Sequence, residues 1–424
     1  MKNFGCSANT ADGEVLAGCL SEAGFKLAHS ASTGDVLIYN TCAVKGPTED
    51  RIIDAIRRAP RGKKVIVAGC LPLINFERLC REASFDGVVG PAAGREIVNI
   101  VKRVLKGEKV IALQNALNTK PLLSLPRLRE NSVISKVPVS YGCLGACAYC
   151  CVVFARGRLR SCPTKEVVER VQTDLAAGAK EFWITSQDVA CYGADAGTNL
   201  AALLKAIGNV EGDFKVRVGM MTPNMVMPIL DDLIEALKNE KIFKFVHLPM
   251  QSGDDQVLRR MRRFYSAQDF KTIVNAFRTA FPKVTLATDV ICGFPSETRE
   301  AFENTMTLLS EVKPDIVNVS KFFPRPRTAA AEMDSASIGP TEIKRRSTAT
   351  AQLARRISFE RNQDWRSWAG EVLVDEKGKK PNSWIGRNFA YKPVVVESST
   401  NMLGKTLRVK ITKAFPTYLA GTIC

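Results

Sequence analysis

Tyr141-Gly-Cys-Leu-Gly-Ala-Cys-Ala-Tyr-Cys150 is the stretch on which the reading of this chain turns. It carries Cys143, Cys147 and Cys150 in a C-x3-C-x2-C spacing, directly after the apolar, β-branched run 133–139. A loop this tight brings three thiolates to three irons of one cuboidal 4Fe–4S cluster, and its small residues let backbone amides approach the sulfurs. It offers no fourth ligand of good geometry, so one iron stays open. An open iron beside such a loop suits the binding and reductive cleavage of S-adenosylmethionine. The competing reading is a zinc knuckle. Zinc requires a closed set of four Cys or His ligands, and the two histidines of the chain, His29 and His247, both lie far from the loop. Cys151 follows Cys150 directly, so the two side chains are expected to diverge.

With 424 residues the chain is long enough for two or three domains with substantial cores. No apolar run approaches membrane-spanning length and no charged-then-apolar leader opens it, so a soluble, cytoplasmic protein without a membrane partner is expected. Thirteen cysteines without disulfide-like spacing point to a reducing compartment and metal ligation. The net charge of +17 suggests a polyanionic partner, once a module able to bind one is found.

The fold class is α/β, in three parts. Residues 1–114 alternate strand-like runs (35–39, 64–68, 85–89) with helical stretches (12–23, 48–58, 75–82, 94–106), which predicts an open parallel-sheet domain. A proline-bearing linker, 115–129, closes it. Over 130–363, strands at 133–139, 181–185, 214–220, 243–248, 284–290 and 315–321 alternate with helices at 164–177, 200–207, 229–238, 267–281 and 299–312. These units predict a partial (β/α)6 barrel whose chemistry gathers at the strands' carboxyl ends. A basic helix, 341–363, follows. Residues 364–424 read as five short alternating strands, a small antiparallel β-barrel.

Three further cysteines fall just past the ends of parallel strands. Cys6 follows the stub Lys2-Asn-Phe-Gly5, Cys42 ends Tyr39-Asn-Thr-Cys-Ala43, and Cys70 ends Val67-Ala-Gly-Cys70. Ligands bind at that edge of an open α/β sheet. Any one of these cysteines would read as a small buried apolar residue; three at equivalent ends point to a second three-thiolate cluster. Cys19 and Cys80 lie in helical patterns and are assigned to the core, His29 to plain surface, and His247 to a structural hydrogen bond. Cys191, Cys292 and Cys424 stay unassigned.

With both cysteine sets in view, the chain resembles the radical S-adenosylmethionine methylthiotransferases over nearly its full length. Phe4-Gly-Cys-Ser-Ala-Asn9 with Asp12 and Glu14 is similar to the family's opening motif. Phe154-Ala-Arg-Gly-Arg158, Thr185-Ser-Gln-Asp188, Arg217-Val-Gly-Met-Met221, His247-Leu-Pro-Met-Gln-Ser-Gly253, Thr288-Asp-Val-Ile-Cys-Gly-Phe-Pro295 and Phe323-Pro-Arg-Pro326 match in order. The resemblance implies an N-terminal methylthiotransferase domain, a radical S-adenosylmethionine barrel and a C-terminal TRAM domain. It implies two 4Fe–4S clusters, S-adenosylmethionine used twice per turnover and a sulfur co-substrate. Cys143, Cys147 and Cys150 would make the radical, and the cluster on Cys6, Cys42 and Cys70 would deliver sulfur. Gln187, Arg217, Gln251 and Asp289 flank successive barrel strands and should point into the mouth, where the resemblance implies that they hold S-adenosylmethionine with Tyr149 and Gly293. The chain departs from the family pattern in its short first strand and in Ser296 and Arg327, where glycine is usual.

The family acts on adenosine-37 derivatives of tRNA or on a ribosomal-protein aspartate. Basicity and the lysine-rich last domain favour RNA, with Lys377, Lys379, Lys380, Arg387, Lys392, Arg408 and Lys410 as candidate contacts. Trp384, Phe389 and Tyr391 serve either to stack on bases or to pack that barrel's core. Gly142-Cys-Leu-Gly145, Phe154-Ala-Arg-Gly157 and the run 315–321 resemble the archaeal and eukaryotic branch, which modifies N6-threonylcarbamoyladenosine; the isopentenyladenosine branch is the alternative. The implied partners are a tRNA anticodon stem-loop, a low-potential electron donor, a sulfur donor and cluster-assembly proteins, with the chain itself a monomer. An iron–sulfur RNA-binding protein without activity is the non-enzymatic alternative.

Overall fold

The structure, a computed structural model, describes residues 1–28, 30–42, 46–114, 117, 119–333 and 338–424, so His29 lies outside the described residues. Strands β1 (Lys2–Asn3), β2 (Val36–Thr41), β3 (Lys64–Gly69), β4 (Gly87–Val89) and β5 (Val110–Ala112) form one sheet in that order, every pair parallel. β3 is buried on both faces, with Val65 and Val67 in one apolar cluster and Ile66 and Ala68 in the other. That is why its sequence is a continuous apolar run rather than an alternating one. The helix Gly46–Arg57 covers the first face through Ile52, Ile53 and Ile56. Helices Ser7–Glu22 and Glu96–Leu105 cover the second. The short first strand still pairs, Lys2 against Tyr39 and Asn3 against Asn40. The three-residue β5 has too short an apolar run to stand out in the sequence.

The second unit contains β6 (Ile134–Pro138), a hairpin of β7 (Ser140–Tyr141) and β8 (Arg160–Ser161), then β9 (Glu181–Thr185), β10 (Lys215–Val218), β11 (Phe245–His247), β12 (Thr285–Cys292) and β13 (Ile316–Lys321). β6, β9 and β10 make one parallel sheet and β11, β12 and β13 another. The bridges Val216–Ile242 and Met220–His247 join the two, giving the expected partial (β/α)6 barrel. Its outer helices begin on side-chain caps at Asn199, Ser266 and Thr298, which satisfy otherwise orphaned amides. Ser296 and Arg327, the two departures from glycine, both adopt positive φ, 64° and 65°. Each keeps the left-handed backbone that glycine would adopt without strain.

The 24-residue helix Pro340–Gln363 packs along β13 and leads to a closed barrel of β14 (Ala369–Lys377), β15 (Ser383–Arg387), β16 (Pro393–Glu397), β17 (Thr406–Ala414) and β18 (Leu419–Ile423). The expected all-antiparallel pairing needs one correction: β16 and β18 pair in parallel and so close the barrel. This small barrel sits across the amino-terminal ends of the large one. Tyr391 packs against Phe243 and Phe245, and its hydroxyl is hydrogen-bonded to Glu181, the first residue of β9. Asn131 Nδ2 donates to the carbonyl of Asp375.

Candidate functional site

The cysteine loop leaves β7 through Gly142, whose φ is +76°; a Cβ there would stand 2.0 Å from the carbonyl oxygen of Arg158. The Gly142 amide donates to Gln187 Oε1 at 2.7 Å, so Gln187 anchors the loop. At the loop's centre, a Cβ on Gly145 would lie 3.3 Å from Cys143 Sγ and 3.6 Å from Cys147 Sγ. The two sulfurs therefore converge beside Gly145, where an added Cβ would be tight against Cys143 Sγ. The Gly145 amide donates to Cys143 Sγ, and the Ala148 amide to the carbonyl of Met261. A hydrogen bond with Cys191 is the main cause that draws the Cys143 thiol below its ordinary value, whereas burial pushes Cys150 up. Arg263, 7 % exposed, donates from Nη1 to Cys147 Sγ at 3.2 Å.

Cys6, Cys42 and Cys70 follow β1, β2 and β3 at one edge of their sheet. Burial pushes the Cys70 thiol up to about 12, against the pull of Arg156; Cys42 and Cys6 raise it further, so both lie within electrostatic reach of Cys70. Among the described residues no three Cys, His, Asp or Glu side chains gather tightly enough to hold a single metal ion. A cuboidal cluster binds each thiolate to a different iron, and so accepts ligands set farther apart than the four around one zinc.

The two edges face each other. Ser7, next to Cys6, shares a hydrogen bond of 2.6 Å with Thr185 at the end of β9. Cys151 turns away from Cys150 as expected and joins the apolar cluster that contains Cys70 and Leu71. The acidic residues of the opening motif pair across this contact: Asp12 with Arg156 at 2.6 Å and with the Tyr141 hydroxyl, Glu14 with Lys136 at 2.8 Å. Burial pushes the Asp12 carboxyl up to about 6 despite Arg156. Glu49 and Arg325, of the Phe-Pro-Arg-Pro motif, form a further buried pair. Motifs distant in sequence are thus each other's partners.

Several expected site residues have other surroundings. Asp289 is in the barrel lumen, held by His247 Nε2 at 3.0 Å and Asn318 Nδ2 at 2.8 Å, which gives His247 its structural hydrogen bond. Gln251 is buried with φ +63°, and its amide donates to the Asp289 carbonyl. Gly293 approaches the chain's own long helix, since a Cβ there would meet Ile343 at 2.6 Å. Arg217 lies within β10 rather than at the mouth, its guanidinium 5.0–5.4 Å from the rings of Trp183, Phe245 and Tyr391. Tyr149 is packed in the cluster around Phe294 and Phe322. Cys19 is buried as expected, but Cys80 is exposed: Leu79 takes the inward position of its short helix, and the next residue points to solvent.

Of the proposed RNA contacts, Lys377, Lys379, Lys380, Arg408 and Lys410 are exposed. Lys392 is 3 % exposed, its Nζ 2.8 Å from both Asp315 Oδ1 and Asn362 Oδ1. Arg387 pairs with Asp375 at 2.9 Å and stacks on Tyr391. Lys392 therefore holds the small barrel to the large one, while Arg387 is paired within the small barrel, with Asp375 on β14. Tyr391 and Trp384 pack in cores, while Phe389 lies against Trp365 and Trp368.

Comparison with known proteins agrees with this geometry. Residues 137–309 match the Radical SAM superfamily, residues 370–424 the TRAM domain, and residues 1–90 a family described as Uncharacterized protein family UPF0004. A protein of Pyrococcus abyssi named "Probable threonylcarbamoyladenosine tRNA methylthiotransferase" is 41% identical, covering 100% of this chain and 98% of its own length. The Homo sapiens "Threonylcarbamoyladenosine tRNA methylthiotransferase" is 34% identical, covering 99% of this chain and 73% of its own. Among solved structures, the radical S-adenosylmethionine methyltransferase TsrM of Kitasatospora setae aligns with a TM-score of 0.55 at 15% identity, over 76% of this chain and 73% of that one, which speaks to fold alone. The fold's cofactors are a 4Fe–4S cluster and S-adenosylmethionine. Identity of this extent, with the three family models in sequence, shows that the chain belongs to the threonylcarbamoyladenosine tRNA methylthiotransferases of the radical S-adenosylmethionine superfamily.

Proposed function

We propose that this chain adds a methylthio group to C2 of N6-threonylcarbamoyladenosine at position 37 of tRNA. The observation that carries the proposal is the pair of three-cysteine edges brought face to face by the Asp12–Arg156 contact. Cys143, Cys147 and Cys150 hold the cluster that binds S-adenosylmethionine; Cys6, Cys42 and Cys70 hold a second cluster that takes the sulfur co-substrate. Residues 1–114, 130–363 and 364–424 divide the work into sulfur delivery, radical formation and RNA binding. When bound, the reduced cluster and S-adenosylmethionine supply the radical that removes a hydrogen from carbon. The chain's own residues orient and enclose: Gln187 fixes the loop, and Asp289 with His247 and Asn318 keeps the lumen's polar groups paired. A low-potential electron donor, a sulfur donor and cluster-assembly proteins complete the system. The chain works as a cytoplasmic monomer on the anticodon stem-loop. Among the described residues, no helix is long and apolar enough to cross a membrane.

The test is nucleoside mass spectrometry of tRNA from cells expressing the chain. A methylthio increment on threonylcarbamoyladenosine, lost with Cys147→Ala, is the expected result. An increment on isopentenyladenosine instead would move the chain to the other branch.

RNA binding separates the lysines. Lys410→Ala, at an exposed site, should lower the slope of log affinity for tRNA against log salt by about 0.7–0.9. Lys392→Ala should leave that slope unchanged and destabilise the fold, because it takes the nearer cation from the buried Asp315 and leaves it only Arg361 at 3.5 Å. Equal slopes for the two variants would contradict this division.

A further inference from the structure

Arg263 belongs to none of the motifs read from the sequence, yet its guanidinium lies against the radical-forming loop. Nη1 donates to Cys147 Sγ at 3.2 Å and Nε to the Tyr265 hydroxyl at 3.2 Å. That hydroxyl is in turn tied to the carbonyl oxygens of Pro249 and Met250, each at 2.9 Å. Nη2 is buried and has no hydrogen-bond partner. Among the described residues no carboxylate pairs with this arginine, although it is 7 % exposed. A buried cation is costly unless an anion compensates it. The anions in reach are the Cys147 thiolate and whatever that thiolate binds.

We infer that Arg263 is a positioning residue that sets the reduction potential of the cluster held by Cys143, Cys147 and Cys150, with Nη1 on the Cys147 sulfur and the unpartnered Nη2 left to donate to the bound cluster. The inference rests on the ligand assignment made under Proposed function. Reduction adds one electron and therefore one negative charge to the cluster. A fixed positive charge and N–H···S bonds stabilise the reduced form more than the oxidised one, and hydrogen bonds to sulfur are an established control on such potentials. The Tyr265 hydroxyl holds Nε, so the guanidinium keeps its place against the Cys147 sulfur.

The test is a potentiometric titration of the reconstituted full-length protein, followed by electron paramagnetic resonance, on Arg263→Met and Arg263→Lys. Arg263→Met should keep its iron and sulfide content. Its ratio of reduced to oxidised cluster at a fixed potential should fall about tenfold, a midpoint lowered by about 59 mV for a one-electron couple. Arg263→Lys, which keeps the charge and loses the fork, should fall between Arg263→Met and the parent. An unchanged midpoint in Arg263→Met overturns the inference. So does an unchanged midpoint accompanied by weaker S-adenosylmethionine binding, which would assign the guanidinium to the co-substrate's carboxylate. If Arg263→Met loses its iron, the midpoint of Arg263→Lys decides in the same way. Cys147→Ala is the separate control: retention of both clusters in it would overturn the ligand assignment itself, whatever Arg263 does.

Discussion

Replacing Cys70 with alanine is expected to abolish methylthio transfer while leaving S-adenosylmethionine cleavage in place. Loss of an outer-shell partner of a metal ligand already costs about 10–100-fold, so loss of a ligand should exceed about 100-fold. Cys70 lies in the cluster of Tyr39, Val65 and Val67, and alanine fits there with little disturbance, so the fold should survive. The variant should bind half the parent's iron, still release 5′-deoxyadenosine under reductant, and yield no methylthio nucleoside. Full iron content with normal product would remove Cys70 from any cluster. Loss of 5′-deoxyadenosine as well would mean that the two cysteine sets do not act independently.

Asp12→Ala carries the second large effect, this time on stability. It strands Arg156, 2 % exposed, whose Nη1 already lacks a partner. Breaking one side of a buried pair costs about 3–5 kcal/mol, because the remaining charge stays buried. The N-terminal unit should unfold at lower denaturant in Asp12→Ala, and the linker over 119–129 should become sensitive to protease. The double variant Asp12→Leu/Arg156→Met should recover much of the loss, since apolar pairs of similar volume replace buried ion pairs at little cost. An Asp12→Ala protein as stable as its parent would show that this contact does not hold the two units together.

What the sequence disclosed follows from how local each signal is. The Cys143, Cys147 and Cys150 loop is contiguous, and the strands that end at Cys42 and Cys70 are continuous apolar runs, so both were legible. Asp12 and Arg156 were recognisable as motif residues but not as partners, because a contact across 144 positions leaves no periodic trace. Arg263 and Cys191 act through cysteines brought to them only by folding. Charge misled where it was buried: Lys392 and Arg387 look like surface cations among many, and only folding shows that Lys392 faces Asp315 across the docked barrels and that Arg387 faces Asp375 within the small one. Cys80 misled in the opposite sense, since a seven-residue helix is too short for its periodicity to fix an inward face.

The small barrel docks at one end of the large barrel's strands and the cysteine loops lie at the other. β12, with eight residues, measures that separation as about 26 Å. An RNA seated on the exposed lysines of the small barrel must extend along the outside of the protein to place one base among the cysteines. A free nucleoside reaches only one of these two places, and a hairpin with too short a stem touches one and misses the other. With RNA seated in that way, the architecture would act as a calliper, selecting its target by reach as well as by chemistry.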